Sequence, residues 1–258
     1  MSMASVGTLH TVRMACGAGI LNITLARPDA MNALNALMRE ELVEVLEAAA
    51  ADPQVVVVVL GAEGAAFCAG SDLREITPSS AHITRVRGLN SRLLKVLRDG
   101  CKPTIAVLRG PAAGIGLSMA LACDLRFATH QARLLTAFGK LGLTADGGLT
   151  WLLSRTAGLG RAMEMLYTEE PVAAEQAQRW GLVNGVFGED QIEDRVMALA
   201  QRLASRSPAA LAAMKASMND TYRMSFTEAL DREFDLQAQL MDGEDFRDRF
   251  DALLGGRG

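Results

Sequence analysis

Two stretches of this chain carry the residue types that let a backbone hold an oxygen anion. The first is Gly110-Pro-Ala-Ala-Gly-Ile-Gly-Leu-Ser-Met-Ala-Leu-Ala-Cys-Asp124. It follows an apolar run, Thr104 to Leu108, that reads as a buried strand, and Gly114 and Gly116 let the backbone turn with no side chain in the way. A helix is expected from Ile115 to Ala122. Its first amides lack intrahelical acceptors, and its dipole puts roughly half a positive charge at that end, which suits an oxyanion or a phosphate. A glycine-softened strand-to-helix corner with no ligand is the plain alternative. The second stretch, Phe67-Cys-Ala-Gly-Ser-Asp-Leu73, follows Gln54 to Leu60, a strand with five consecutive valines, by way of Gly61-Ala-Glu-Gly64. If the two strands run parallel as neighbours, both turns leave the same edge of the sheet, where open α/β folds place ligands, and two amides can converge on one oxygen.

A third stretch, Thr144-Ala-Asp-Gly-Gly-Leu-Thr-Trp-Leu-Leu153, places Asp146 just ahead of an expected helix. An aspartate there can serve as an N-cap, accepting amide hydrogens from the first turn. The cysteines, Cys16, Cys68, Cys101 and Cys123, are scattered without the close pairs of a zinc site or a redox motif, and they read as reduced and mostly buried. His10, His82 and His130 sit in polar settings that suggest no nucleophile partner. No metal site is expected.

The elements that position these stretches can be read in order. Thr8 to Met14 and Ile20 to Leu25 flank Cys16-Gly-Ala-Gly19 as a β-hairpin ended by Arg27-Pro28. Asn35 reads as the cap of a helix in which Leu37, Met38, Leu42, Val45 and Leu46 recur at helical spacing before Asp52-Pro53. Arg74 to Arg87 is polar and reads as a mobile surface segment leading to a helix near Leu89 to Leu97. Leu125 to Ala128 and Leu134 to Phe138 read as strands. Beyond Asp190 the pattern turns helical: Val196, Leu199, Ala200 and Leu203 form a stripe, Ser207-Pro208 opens a second helix, and Ser225 with Glu228 forms a capping box for a third, with Leu230 and Phe234 expected to face inward. With 258 residues, half of them apolar, the chain suits one well-buried core with an appendage. We divide it into a core at 1–190 and a C-terminal helical region at 191–258. There is no apolar run long enough to span a membrane and no basic-then-apolar leader at the N-terminus, so a cytoplasmic location is expected. A net charge of −4 with no basic stripe argues against a nucleic-acid partner.

Taken together, five segments resemble the enoyl-CoA hydratase/isomerase, or crotonase, superfamily over nearly the whole chain. They are Leu25 to Asn35, Phe67 to Leu73, Gly110 to Asp124, Lys140-Leu-Gly-Leu143, and Ala174 to Val186 with its Gly-Leu-Val-Asn. The resemblance implies an α/β fold, a ββα spiral core with C-terminal helices that build a homotrimer, often doubled to a hexamer. It implies an acyl-CoA thioester as substrate, with no cofactor besides that coenzyme A, and backbone amides of Ser71 and Ile115 forming the oxyanion hole. Arg27, Ala30, Ala69, Ser71, Asp72, Leu73 and Ile115 fall where the family contacts CoA or substrate, and Arg74 to Arg87 borders the acyl pocket. The Asp-x-Gly-x-Thr-Trp run is similar to that of the ring-epoxide isomerases of phenylacetyl-CoA breakdown, which makes Asp146 the catalytic acid/base or nucleophile.

The departures point the same way. The two glutamates of the family's hydratases fall on Ser118 and Phe138, neither of which transfers a proton as a carboxylate does. The expected activity is therefore acyl-CoA isomerisation through a thioester enolate, with Asp146 shifting the proton. The alternatives are a hydratase with one carboxylate, an aryl-CoA dehalogenase, or a non-catalytic acyl-CoA-binding or RNA-binding protein. At the C-terminus, Ala252-Leu-Leu-Gly-Gly-Arg257 replaces the Ala-Phe-Leu-Glu-Lys-Arg run with which relatives hold CoA.

Overall fold

The computed structural model describes residue 3 and residues 6–255; Arg257 and most of the stretch read for a leader lie outside the described residues. The hairpin forms from β1 (Val12–Gly17) and β2 (Ile20–Leu25), turning at Ala18 and Gly19, whose φ angles of 51° and 79° make the tight left-handed turn that suits strand twist. Next come α1 (Ala36–Ala51), β3 (Val57–Ala62), α2 (Ser80–Asp99), β4 (Thr104–Leu108), β5 (Ala112–Ala113), α3 (Ile115–Ala122), β6 (Leu125–Thr129) and β7 (Arg133–Leu135). The chain continues through α4 (Leu149–Thr156), α5 (Leu159–Thr168), β8 (Val172–Ala173), α6 (Ala174–Arg179) and β9 (Gly185–Phe187), and ends with α7 (Ile192–Ala204), α8 (Pro208–Asp220), α9 (Phe226–Met241) and α10 (Glu244–Gly255).

The main sheet runs in the order β1-β2-β3-β4-β6-β9 and is parallel from β2 onward; β5, β7 and β8 form a smaller second sheet. Both faces of the main sheet are covered, which is why the valine run is continuous rather than alternating with polar residues. Val58 and Leu60 enter the larger core with Leu21, Ile23, Leu42, Leu93 and Leu117, while Val57 and Val59 face the other way onto Ile192, Val196 and Ala200 of α7. Pairing of Val58 with Thr104 and Leu60 with Ala106 makes β3 and β4 parallel neighbours, so the loops after them leave at one edge.

Helix starts follow their caps. Asn35 accepts the Met38 amide at 2.9 Å, Ser207 accepts that of Ala210 with Pro208 at the first helical position, and Ser225 with Glu228 forms the reciprocal box. The segment expected to be mobile is different: Ser79 caps α2 at Ser80, so Ser80 to Arg87 is helical. Its first turns present His82 to the interior and leave Ile83 exposed, a pattern too mixed to show a helical stripe. Leu230 and Phe234 do not face inward, being 38% and 68% exposed, because none of the described residues covers that side of α9. Of the cysteines only Cys68 and Cys123 are buried, and Cys16 and Cys101 are exposed, since β1 is an edge strand and Cys101 sits in the loop after α2. No described helix is long and apolar enough to cross a membrane.

Helix α8 is docked by one cation. The ammonium of Lys215, only 6% exposed, reaches Asp124 Oδ2 at 2.8 Å and the carbonyls of Leu97 and Lys102. Asp124 in turn accepts the Thr104 amide and hydroxyl, which joins α8 to the start of β4. Charged hydrogen bonds of this kind are worth about 1.5–3 kcal/mol each, so Lys215→Met should lower unfolding free energy by about 2 kcal/mol in urea titrations. An unchanged midpoint would show that α8 is held without this cation, by apolar contact and the Asn219 bond to the Arg98 carbonyl.

Candidate active site

The two glycine loops meet backbone to backbone. Ala113 N donates to Cys68 O at 2.9 Å, and Cys68 N donates to Pro111 O at 3.2 Å. This approach depends on glycine. A Cβ on Gly116 would lie 2.5 Å from Cys68 O, one on Gly110 would lie 1.9 Å from Ala65 O, and one on Gly70 would lie 3.1 Å from Ala113 O. Gly114, at φ 52°, makes the turn itself, whereas Gly116 lies in ordinary helical conformation and is needed for space.

This contact frees two amides. Leu34 N donates to Gly70 O at 2.7 Å and Asp72 N donates to Leu34 O at 3.0 Å, a parallel bridge that turns the intervening Ser71 N–H the other way. Ile115 is the first residue of α3, one of the positions with no intrahelical acceptor. Neither amide donates to an acceptor among the described residues. Cys68, whose thiol burial pushes up to about 11, packs beneath as a neutral side chain.

The residues placed at a CoA contact by the sequence are gathered on the outer side of these loops. Arg27 donates to Asp72 Oδ2 at 2.9 Å and to the carbonyl of Ala33, and Arg74 also pairs with Asp72. The Arg74 guanidinium first, and Arg27 with it, hold the Asp72 carboxyl well below the usual carboxylate range. Asp72 is thus a buried brace between the segments 27–34 and 68–74. Ala30 ends a short turn of helix ahead of this brace, Ala69 donates its amide to Met31 O at 3.0 Å, and Leu73 is 64% exposed.

Asp146 lies in the segment ahead of α4, beside Ser118 of α3. It is not an N-cap: α4 starts after Gly148, no side chain caps it, and the Asp146 backbone carbonyl alone accepts the Leu149 amide. Its carboxylate Oδ1 is buried with no hydrogen-bond partner among the described residues. Burial pushes the carboxyl above its ordinary value, and only the positive charge of Arg39 opposes this. Ser118 is fully buried and reaches the Asp146 carbonyl at 3.3 Å, and Phe138 packs against Gly114, so the two places without carboxylates serve to hold the loops on either side. Asp146 opens on a cavity of about 430 Å³ between α2 and α4, walled by Ile83, Asn90, Leu94, Arg98 and Trp151. The Trp151 ring is fixed between the guanidiniums of Arg98 and Arg155, at 4.3 and 4.0 Å from its centroid.

Reading the sequence missed Arg39 and Asn90. Arg39 is 2% exposed and donates to Asn90 Oδ1, Leu34 O and Ser71 Oγ. A signal was present: Arg39 precedes Leu42, Val43 and Leu46 by three, four and seven residues, so it falls on the buried stripe of α1. His10, His82 and His130 stand apart from the site, with His130 paired to Glu175 on the surface, and no cluster of metal-ligating residues occurs among the described residues.

The sequence profile for enoyl-CoA hydratase/isomerase matches residues 15–254. A Rhodobacter capsulatus protein named "Probable enoyl-CoA hydratase" is 36% identical over 96% of each chain. The 1,2-epoxyphenylacetyl-CoA isomerase of Escherichia coli is 33% identical over 93% of each chain. An enoyl-CoA hydratase crystal structure from Mycobacterium smegmatis superposes with a TM-score of 0.90 at 30% identity, covering 96% of this chain and 97% of that one. The ββα spiral with C-terminal helices is therefore shared with these proteins.

Gly116→Ala tests the loop contact directly. A methyl group 2.5 Å from a carbonyl oxygen must push the loops apart, and overpacking of this kind costs about 1–3 kcal/mol. The variant should melt several degrees lower, and a melting temperature equal to that of the parent would contradict the packing described.

Proposed function

The chain belongs to the enoyl-CoA hydratase/isomerase family, and from that premise we propose that it is an acyl-CoA isomerase working through a thioester enolate. The observation that carries this reading is the Asp146 carboxylate, unpaired among the described residues and desolvated in the lining of the cavity, at a site where Ser118 and Phe138 supply no second carboxylate. Adding water across a double bond benefits from two proton-transferring groups, whereas moving a double bond needs one that takes and returns the same proton.

In the proposed reaction the thioester oxygen accepts hydrogen bonds from Ser71 N and Ile115 N. Asp146 removes a proton from carbon; the electron pair of that C–H bond moves into the conjugated system, and negative charge develops on the thioester oxygen. The two amides and the positive end of α3 meet that charge, each donor contributing on the order of 3 kcal/mol in comparable sites. Asp146 then returns the proton to a different carbon, and the double bond is left shifted. Arg27, Ala30, Ala69, Asp72 and Leu73 line the approach of the CoA portion. No cofactor besides the coenzyme A of the substrate takes part.

Incubation with a panel of enoyl-CoA and phenylacetyl-derived CoA thioesters in deuterated water tests this. A shifted double bond with carbon-bound deuterium is expected. Net addition of water would make the protein a hydratase, halide release from an aryl-CoA would make it a dehalogenase, and tight binding without turnover would make it a binding protein. Asp146→Asn should cut turnover by roughly 10²-fold or more with binding retained. Its melting temperature should not fall, because the carboxylate has no hydrogen bond to lose. Since burial raises the Asp146 pKa, the base form is lost as pH falls through that raised value, so the acid limb of kcat/KM should lie above the ordinary range of an aspartate carboxyl. A limb within or below the ordinary range of an aspartate carboxyl, or an active Asn variant, would move the proton transfer elsewhere.

We further propose a homotrimer or hexamer built through the C-terminal helices. Met214, Met218, Phe226, Phe234, Met241 and Leu253 of α8 to α10 are each more than half exposed, an apolar area larger than an isolated chain commonly leaves in water. Light scattering should give three or six copies, and a monomer at micromolar concentration would contradict the proposal.

A further inference from the structure

Arg39 is the largest of the fully buried side chains among the described residues, and it is a cation with no carboxylate of those residues at hydrogen-bond distance. Its three partners are neutral: Asn90 Oδ1 at 2.8 Å, Leu34 O at 2.5 Å and Ser71 Oγ at 2.9 Å. A buried ion without a paired charge costs several kcal/mol, so a fold that keeps one at its centre commonly uses the charge. Burial pulls the Arg39 pKa down, and Glu75, Cys68 and Asp146 oppose this, with Arg85 adding to the fall. Of these, Glu75 is already engaged by the Ala36 amide at 2.8 Å, and the raised pKa of Cys68 keeps it neutral at ordinary pH. Asp146 is left as the anion with no partner of its own.

We infer that Arg39 is a positioning residue for the reaction, the fixed counter-charge to a negative charge that moves: it faces Asp146 before proton removal and, through Ser71 and Leu34, grips the loop that binds the enolate oxygen afterwards. The inference rests on the isomerase reading above. Its logic is one of charge balance. When Asp146 takes a proton, one unit of negative charge leaves the carboxylate and appears on the thioester oxygen beside Ser71 N. The guanidinium holds Ser71 Oγ at 2.9 Å and, by its bond to Asn90 Oδ1, is tied to the wall of the cavity that Asp146 also lines, so a fixed charge serves both places without solvent reorganising as the charge passes. Arg39 also commits the oxygen of Asn90, which leaves that residue's NH2 group to serve the cavity that Asn90 shares with Asp146. A planar fork with three fixed donors does this; lysine, a point charge on a flexible stem, reproduces the charge without the grip.

The test compares Arg39→Met and Arg39→Lys by two readouts: carboxyl NMR titration of Asp146 in the unliganded protein, and the pH profile of kcat/KM on whichever substrate the wild-type protein isomerises. The remaining charged groups lining the cavity, Arg87, Lys95, Arg98 and Asp99 of α2 and Arg223 beyond α8, are the same in every variant. Removing the positive charge destabilises the Asp146 anion, so Arg39→Met should raise its titration midpoint and the acid limb together by about half a pH unit or more. It should also lower kcat by more than about 10-fold with a smaller change in KM. Arg39→Lys should keep the midpoint near that of the wild type while losing part of kcat. If Arg39→Met does not fold, Arg39→Gln, which can still hydrogen-bond, gives the same comparison. A wild-type protein that isomerises, with an uncharged variant whose Asp146 titration and acid limb are unmoved, overturns the inference and leaves the isomerase reading intact. A wild-type protein that isomerises no thioester ends that reading and the catalytic role together, while the titration still reports whether the two groups are coupled.

Discussion

The approach of two backbone loops, closer than any side chain would allow, is the constraint on which the site depends. Residues 68–71 and 110–116 come from successive parallel strands, and they are joined by main-chain hydrogen bonds rather than by side-chain packing. Because the Gly70–Leu34 and Asp72–Leu34 bonds use the groups on either side, the Ser71 amide is left unpaired by geometry, and the Ile115 amide is left unpaired by being first in its helix. Polar donors without partners are unusual in a folded interior. Here they are held in place by bonds that would all have to break before either amide could turn to another acceptor.

That constraint explains why so much of the architecture was legible. β4 and α3 appear with the bounds expected of them because an uninterrupted apolar run, two glycines and a small-residue helix leave little choice. The valine strand begins slightly later than expected, at Val57, since Val55 and Val56 form the approach from α1 rather than ladder positions. Where the expectations failed, the missing information was tertiary. Ser80 to Arg87 is polar but is held as helix by the Ser79 cap and by the interior contact of His82. Leu230 and Phe234 have the spacing of a buried stripe, yet none of the described residues covers them. Periodicity states that a face is apolar without stating what it meets.

The candidate site was legible in its backbone and only half legible in its electrostatics. Glycine patterns mark where amides can converge, because the requirement is local. The state of Asp146 is set by elements far away in sequence: Ser118 holds its carbonyl, α2 closes the cavity before it, and the guanidinium of Arg39 comes from the first helix. An aspartate ahead of a helix looks like a cap, and Gly148 intervening at φ 71° is what denies it that role. Arg39, in turn, was hidden by its type. Arginine at a helical position reads as solvated surface, and only its place beside Leu42, Val43 and Leu46 on the buried stripe shows otherwise.

These features also bear on the proposal that a single carboxylate carries the reaction. A second acid near the cavity would share the low-dielectric surroundings of Asp146, and two like charges so placed cannot both ionise readily. Ser118 at one such position makes a neutral hydrogen bond to the Asp146 backbone, and Phe138 at the other fills space beneath Gly114. Both substitutions remove a competing charge and stiffen the loops that remain. Among the described residues Arg39 is the cation that opposes the desolvation of Asp146, and on the proposed reading a single negative charge moves between one base and one pair of amides. On the isomerase reading proposed above, Asp146 takes and returns a proton within the substrate, whereas hydration would ask for a second group to take the water's proton, and neither Ser118 nor Phe138 offers a carboxylate for that.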